Sequence, residues 1–217
     1  KYSNYDLIKK TISALLQKTK INPVEIDSVM IGNVIQEVKT SNVAREAALG
    51  CGIPAEIPAS TIAQACISSS QCVSIGADQI SLNKSNLVLA GGVETFSDVP
   101  IRYPKTMRQW LINLPKESKK GTLNTIKYAA KLRPQYFKPE PPALANYTTG
   151  ELMGQTSEKI ADRFNVTRND MDEFTIRSHN LAFNAHKNNL YEDEIFPVDG
   201  KIIENNIRPN QQIDKLA

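Results

Sequence analysis

The chain has 217 residues, 41% hydrophobic and 23% charged, the balance of an ordinary soluble globular protein with enough length to bury a sizeable core. No uncharged apolar run approaches the ~20 residues of a membrane-spanning helix, and Lys1 to Lys10 lacks the apolar stretch of a secretory signal. The net charge of +3 is unevenly laid: between Arg102 and Lys138 ten Lys or Arg stand against one acid, Glu117. The rest of the chain is therefore net acidic, and the basic stretch is a local feature suited to a local partner.

In chain order, Ile8, Ile12, Leu15 and Leu16 recur at helical spacing, with Ser3 or Asn4 as the cap. Asn22-Pro23 opens a short helical turn, because proline suits the first helical position after a capping side chain. Val29 to Ile35 has the texture of a strand. Asn42 to Leu49 forms a second helix closed by Gly50 or Gly52, and Ser60 to Ala65 a short buried strand. A helix follows from about Ser68 to Leu82, with Val73, Gly76, Ala77 and Ile80 along the face that its small residues let approach a sheet. Leu87 to Ala90 is the next strand, ended by Gly91-Gly92. Helices and strands alternating at this spacing predict an α/β domain with a mostly parallel sheet.

After Ser97 the character changes. Residues 98–150 hold most of the twelve prolines, the basic stretch and no strand pattern. Helical texture returns over Glu151 to Phe164 and continues in Met171, Phe174, Ser178, Ala182 and Ala185. The expected organisation is an α/β core over 1–97 and a helical, irregular segment over 98–217.

The three cysteines, Cys51, Cys66 and Cys72, are odd in number and have no C-x-x-C spacing, which favours thiols in a reducing compartment. The two histidines, His179 and His186, lie about 10 Å apart along a helix at ~1.5 Å per residue, too far to share one metal ion easily. No H-E-x-x-H pattern accompanies them, so surface or supporting roles are expected, and no metal. Cys66 differs from the other two cysteines because it falls where a buried strand hands over to a helix. Unpaired N–H groups and the positive end of the helix dipole stabilise a thiolate there. The same groups can steady an oxyanion developing on a substrate carbonyl. Geometry alone also allows Cys66 to be a small buried residue, the usual fate of a free cysteine; Cys51 and Cys72 are expected to be structural.

The segments around Cys66 resemble the thiolase family. Ile31-Gly32-Asn33-Val34-Ile35-Gln36 is similar to its G-x-V-x-Q strand, and Asn42-Val43-Ala44-Arg45 to its N-x-A-R helix start. Ala65-Cys66-Ile67-Ser68 matches the acyl-accepting cysteine motif, and Ala90-Gly91-Gly92-Val93-Glu94-Thr95-Phe96-Ser97 the A-G-G-x-E-x-M-S strand end. Met153-Gly154-Gln155-Thr156-Ser157-Glu158 resembles the M-G-x-T-A-E helix of the loop domain that contacts coenzyme A. The resemblance implies a layered α/β thiolase-like core, here incomplete, with a helical loop-domain insertion. It makes Cys66 the catalytic nucleophile, and it puts Met153, and less directly Leu144 and Arg208, at the coenzyme A site. Coenzyme A is then a substrate and no cofactor is implied.

Within the family, Ile67-Ser68-Ser69-Ser70-Gln71, Asp98-Val99-Pro100-Ile101-Arg102 and the insertion after them resemble the branch of the mitochondrial trifunctional protein β-subunits, and bacterial fatty-acid-oxidation thiolases share similar features. This branch implies a homodimer within an α/β complex and a mitochondrial location, with the bacterial cytoplasm as the alternative. The family's G-H-P-x-G and C-x-G-x-G motifs do not occur here. By resemblance they belong to a carboxy-terminal half outside the chain, as the first strand would lie before Lys1, and the piece alone is expected to turn over little.

Within the basic stretch, Met107, Trp110, Leu111 and Leu114 form an amphipathic stripe flanked by Lys105, Arg108 and Lys116; Leu123, Ile126 and Ala130 give a weaker one. Such helices suit an anionic membrane surface, which the branch implies as the inner-membrane face of 102–138, or they pack on their own protein. Nucleic acid is not expected, for want of interleaved aromatics and a recognised fold. Two other readings stand beside the degradative thiolase. One is a condensing enzyme of fatty-acid synthesis, against which the Met153-Gly154 helix and the long insertion argue. The other is a non-catalytic subunit-contact or scaffold module.

Overall fold

The computed structural model describes residues 2–200 and 206–216. Two compact units divide the chain, Lys1–Pro142 and Ala143–Ala217.

The first unit opens with α1 (Asn4–Thr19). Ser3, not Asn4, is its cap: the Asp6 N–H donates to Ser3 Oγ at 3.2 Å, and the Ser3 N–H donates to Asp6 Oδ2 at 3.0 Å. This reciprocal pair satisfies two N–H groups that a bare helix start would leave unpaired. A one-turn 3-10 helix, Pro23–Glu25, capped by Asn22, leads into β1 (Ser28–Gly32), which is buried along its whole length. α2 (Val43–Gly50) follows, capped by Asn42. Then come β2 (Ala59–Ile62), α3 (Ser68–Ser81) and β3 (Val88–Gly92).

The three strands form a parallel sheet in the order β2-β1-β3. Parallel neighbours need crossovers, and right-handed crossovers fix where the helices go. From β1 the chain steps one way to β2 through α2, then back past β1 to β3 through α3. Steps in opposite directions with one handedness put α2 and α3 on opposite faces. Side-chain parity agrees: Val29 and Ile31 join Ile8, Ile12, Val43, Ala44 and Ala47 in the core cluster, whereas Gly32, of opposite parity, lies against α3.

Two of the resembling segments have plain structural work here. Asn42 Oδ1 accepts from the Arg45 N–H (3.0 Å) and the Thr61 hydroxyl (2.8 Å), and its Nδ2 donates to the Ala59 carbonyl at 3.0 Å, so one side chain caps α2 and ties it to β2. The Arg45 guanidinium donates to the carbonyls of Ile57 (3.0 Å) and Ala55 (2.7 Å), holding the loop that enters β2.

The buried face of α3 shares Gly76 with the expectation and otherwise differs from it. Ser68, Cys72 and Gly76, four residues apart, are buried, while Val73 and Ile80 are 57% and 47% exposed. The sheet selects smallness rather than hydrophobicity at this contact: a Cβ on Gly76 would lie 3.1 Å from Val88 Cγ1. β1 and β2 are also shorter than expected, ending at Gly32 and Ile62, whereas β3 runs on through Gly91 and Gly92.

Beyond Ser97 the first unit continues with α4 (Lys105–Ser118), α5 (Thr122–Ala129) and a 3-10 turn at Pro134–Phe137. Where no strand was expected, Arg102 and Glu140 exchange both backbone hydrogen bonds (3.2 and 2.7 Å), closing the excursion at its base. The sheet ends at Gly92, and the compact unit runs on to Pro142. The second unit holds α6 (Met153–Phe164), α7 (Arg168–Lys187) and a 3-10 turn at Ile213–Lys215. Thr167 and Asp170 cap α7 reciprocally. Arg168 pairs with Asp172, Nε at 2.9 Å from each carboxylate oxygen, and donates to the Leu216 carbonyl, which ties the last described turn to α7.

Candidate functional site

The carboxyl ends of parallel strands are where α/β folds build their sites, since loops and helix starts converge there. Cys66 lies at such an end, in the loop that leaves β2 and turns into α3, and it is exposed. The turn is sharp. Ala65 adopts φ 45°, a left-handed conformation uncommon for a residue with a Cβ and found most often where function or surrounding structure demands it. The N–H groups of Ile67 and Ser68 donate to the carbonyls of Gln64 (3.3 Å) and Ala65 (3.2 Å). Ser68 fastens the turn from its side chain, accepting from the Gln64 N–H at 2.8 Å and donating to the Ala65 carbonyl at 2.6 Å. Cys66 therefore stands two residues ahead of Ser68, the first residue of α3, on the side of the helix where its dipole is positive.

The helix start can sit so close to the sheet only because two strand ends carry no side chain. A Cβ on Gly32 would lie 2.5 Å from both Ser68 C and Ser69 N, and one on Gly92 would lie 2.6 Å from Ser69 Cβ. Both glycines end their strands, so β1 and β3 together form the floor under α3.

The other cysteines occupy different surroundings. Cys72 is fully buried, and burial pushes its thiol above the usual range. Cys51 ends α2, with Sγ 3.3 Å from the Lys9 carbonyl and 3.4 Å from Ser13 Oγ, a packed position at the α1 contact.

Cys66 belongs to the first unit, and Leu144, Met153 and Arg208 to the second. Met153 is the first residue of α6 and is 60% exposed; Leu144 is 85% exposed. The chain between them doubles back, the Asn146 N–H donating to the Glu151 carbonyl at 2.8 Å. The Arg208 N–H donates to His179 Nδ1 at 3.1 Å, so His179 anchors that segment to α7. His186 packs against Tyr191, ring centroids 5.0 Å apart.

In the basic excursion, the first stripe divides between two environments. Met107 is buried, and Trp110 stacks on Tyr128 of α5 (5.8 Å between centroids, 14° between planes), donating its Nε1–H to the Tyr128 carbonyl. Leu111 stays exposed, as do Ile112, Leu123 and Ile126. Part of the expected membrane-facing stripe thus packs the helical hairpin itself.

Asn33 and Glu94, to which the sequence patterning gave no role, join the ends of β1 and β3. Asn33 Nδ2 donates to the Val93 carbonyl (3.0 Å) and to Glu94 Oε1 (3.2 Å); Glu94 Oε2 accepts from the N–H groups of Val34 (2.9 Å) and Ile35 (3.1 Å). The available signal was an amide and a carboxylate placed just past the ends of two buried parallel strands.

Compared with known proteins, residues 1–217 match the family described as thiolase, N-terminal domain. A probable 3-ketoacyl-CoA thiolase of Caenorhabditis elegans is 44% identical over 90% of this chain and 44% of its own length. The human mitochondrial trifunctional enzyme subunit beta is 39% identical over 98% of this chain and 46% of its own. The crystal structure of the Bacillus anthracis acetyl-CoA acetyltransferase superposes with a TM-score of 0.71 at 27% identity, covering 96% of this chain and 51% of that one. The chain spans about half the length of the curated relatives it matches.

Proposed function

The chain belongs to the thiolase family, matching its amino-terminal domain throughout, and on that premise we propose that it supplies the nucleophile for thiolytic cleavage of 3-ketoacyl-CoA in fatty acid β-oxidation. The observation that carries this reading is an exposed Cys66 on a tight turn at the start of α3. The Cys66 thiolate attacks the 3-keto carbon and forms a C–S bond. The bond between the second and third acyl carbons breaks, and its electron pair leaves as the enolate of acetyl-CoA, which takes up a proton. Free coenzyme A, as thiolate, then attacks the acyl carbonyl, releasing the shortened acyl-CoA and returning the Cys66 thiolate. Stabilising the enolate is the demanding step, and one well-placed donor there is worth about 3–4 kcal/mol. The groups that handle its proton belong, by the family pattern, to motifs outside this sequence, so the chain alone is expected to acylate weakly and turn over little.

Coenzyme A would meet the second unit through Met153, Leu144 and Arg208, of which Met153 and Leu144 are exposed apolar residues beside a folded-back turn. The intact protein would act as a homodimer within an α/β trifunctional-type complex in the mitochondrion. Its basic excursion would touch an anionic inner-membrane surface through Leu111, Ile112, Leu123 and Ile126, all exposed, with the neighbouring lysines.

Intact-mass measurement after exposure to a 3-ketoacyl-CoA tests the central step. An acyl adduct confined to Cys66 and lost in Cys66→Ser is the expected result. No adduct at saturating ligand would overturn it in favour of a scaffold or subunit-contact module.

A further inference from the structure

The loop that carries Cys66 has two anchors, and both rest on the same junction. At its start, the Ile62 carbonyl accepts from the Asn33 N–H at 3.0 Å. At its end, Ser68 and Ser69 press on Gly32 and Gly92, where a Cβ would find no room. The residues that follow these glycines, Asn33 and Val93, are joined by the Asn33 amide, which is 1% exposed. That amide is oriented by Glu94. Its Nδ2 must face Oε1 of the carboxylate, because a carbonyl oxygen turned that way would meet another acceptor. The second Glu94 oxygen meanwhile collects the N–H groups of Val34 and Ile35. One side chain thus accepts three hydrogen bonds and fixes the backbone from which both anchors of the cysteine loop hang.

We propose that Glu94 is a positioning residue for Cys66, acting through Asn33 to hold the sulfur at the start of α3. The inference rests on the acyl-transfer reading above. Glu94 touches none of the reacting atoms, so its contribution is geometric; a nucleophile held about 1 Å out of place loses on the order of 100-fold in rate.

The test compares the protein with its Glu94→Ala and Glu94→Gln variants, well below their melting midpoints, following acylation of Cys66 by 3-ketoacyl-CoA in single turnovers. Glu94→Ala is expected to lower the saturating rate roughly 10- to 100-fold with the half-saturating concentration nearly unchanged. Glu94→Gln, which keeps an oxygen for the two backbone N–H groups but sets an amine against Asn33 Nδ2, should fall between the two. A side chain with a merely structural role would lower the melting midpoint and leave the rate of the folded protein alone; that result overturns the proposal. Should Glu94→Ala not fold, Glu94→Gln decides it: a wild-type rate overturns the proposal, a clear loss supports it. Iodoacetamide alkylation of Cys66 separates this failure from that of acyl transfer. A wild-type protein that takes no acyl group sinks the acyl-transfer reading, while equal alkylation rates in wild type and Glu94→Ala sink the positioning role by itself.

Discussion

Ala65 sits at φ 45° immediately before the sulfur it helps to present. Glycine would adopt this conformation without strain, so Ala65→Gly is expected to change unfolding free energy by less than about 1 kcal/mol, relief of strain offsetting the added freedom of the unfolded chain. Ala65→Val places a β-branched side chain in the left-handed region and should destabilise by clearly more; equal denaturant midpoints for the two variants would show the turn to be unstrained. The cysteines divide in the same way. Iodoacetamide at neutral pH should modify Cys66 in the native protein and reach Cys72 only on unfolding. Cys72 has no exposed surface, and its raised thiol holds less of the reactive thiolate at any given pH. Peptide mapping of the alkylated protein checks this. The strand-to-helix handover at Cys66 was legible in the sequence, because a cysteine between a β-rich run and a small-residue helix already locates the helix end. The roles of Asn33 and Glu94 were not, since two polar residues about sixty positions apart in sequence meet only when their strands pair.

Among the elements, α3 is placed by its glycine contacts. Gly32→Ala would put a Cβ 2.5 Å from backbone atoms of Ser68 and Ser69, so the helix itself must move. A loss of about 1–3 kcal/mol is expected, of the kind overpacking produces, together with slower alkylation of Cys66. Gly76→Ala meets a side-chain carbon of Val88 at 3.1 Å, and the better helix propensity of alanine, about 1 kcal/mol, offsets the crowding. That variant should unfold near the wild-type midpoint and keep Cys66 reactive. If the two substitutions proved equivalent, α3 would not rest on the strand end as described. Periodicity found the helix, its near-correct ends and Gly76 on the sheet side, but put Val73 and Ile80 there with it, where Ser68 and Cys72 are buried instead. Val73 and Ile80 outrank Ser68, Cys72 and Gly76 in hydrophobicity, whereas the sheet admits only small groups at that distance.

At the scale of the molecule, Asp6, Asp27 and Asp170, among the described residues, are stabilised in their charged form, in both units. Asp6 is held below the usual carboxylate range by hydrogen bonds from the Ser3 backbone and side chain, Asp170 by those of Thr167, and Asp27 by the N–H groups of Asn86 and Leu87. A carboxylate lowered in the folded state binds its proton more readily in the unfolded chain. Its stabilisation is therefore complete above the unfolded value of about 4 and disappears as pH falls through the lowered folded value. Thermal melts of wild type and Asp27→Asn should differ most near neutral pH and converge as the pH drops below about 4; a gap that persists unchanged in acid would exclude this linkage. At this scale the sequence placed the end of the α/β part near residue 98, where prolines and lysines accumulate. The first compact unit runs to Pro142, and within it the Arg102–Glu140 pairing returns the excursion to its base.

The sequence by itself determined the order and type of the main elements, the capped turn at Asn22-Pro23, the cysteine at the helix start and the family to which these segments belong. All of these are local patterns, written within a turn or two of the residues that express them. Tertiary structure alone decided the strand order β2-β1-β3, the buried side of α3, the burial of Met107, the stacking of Trp110 on Tyr128, and the junction of Asn33 with Glu94. Each of these is a contact between residues far apart in the chain, and its energy depends on distance and partner rather than on neighbouring residues.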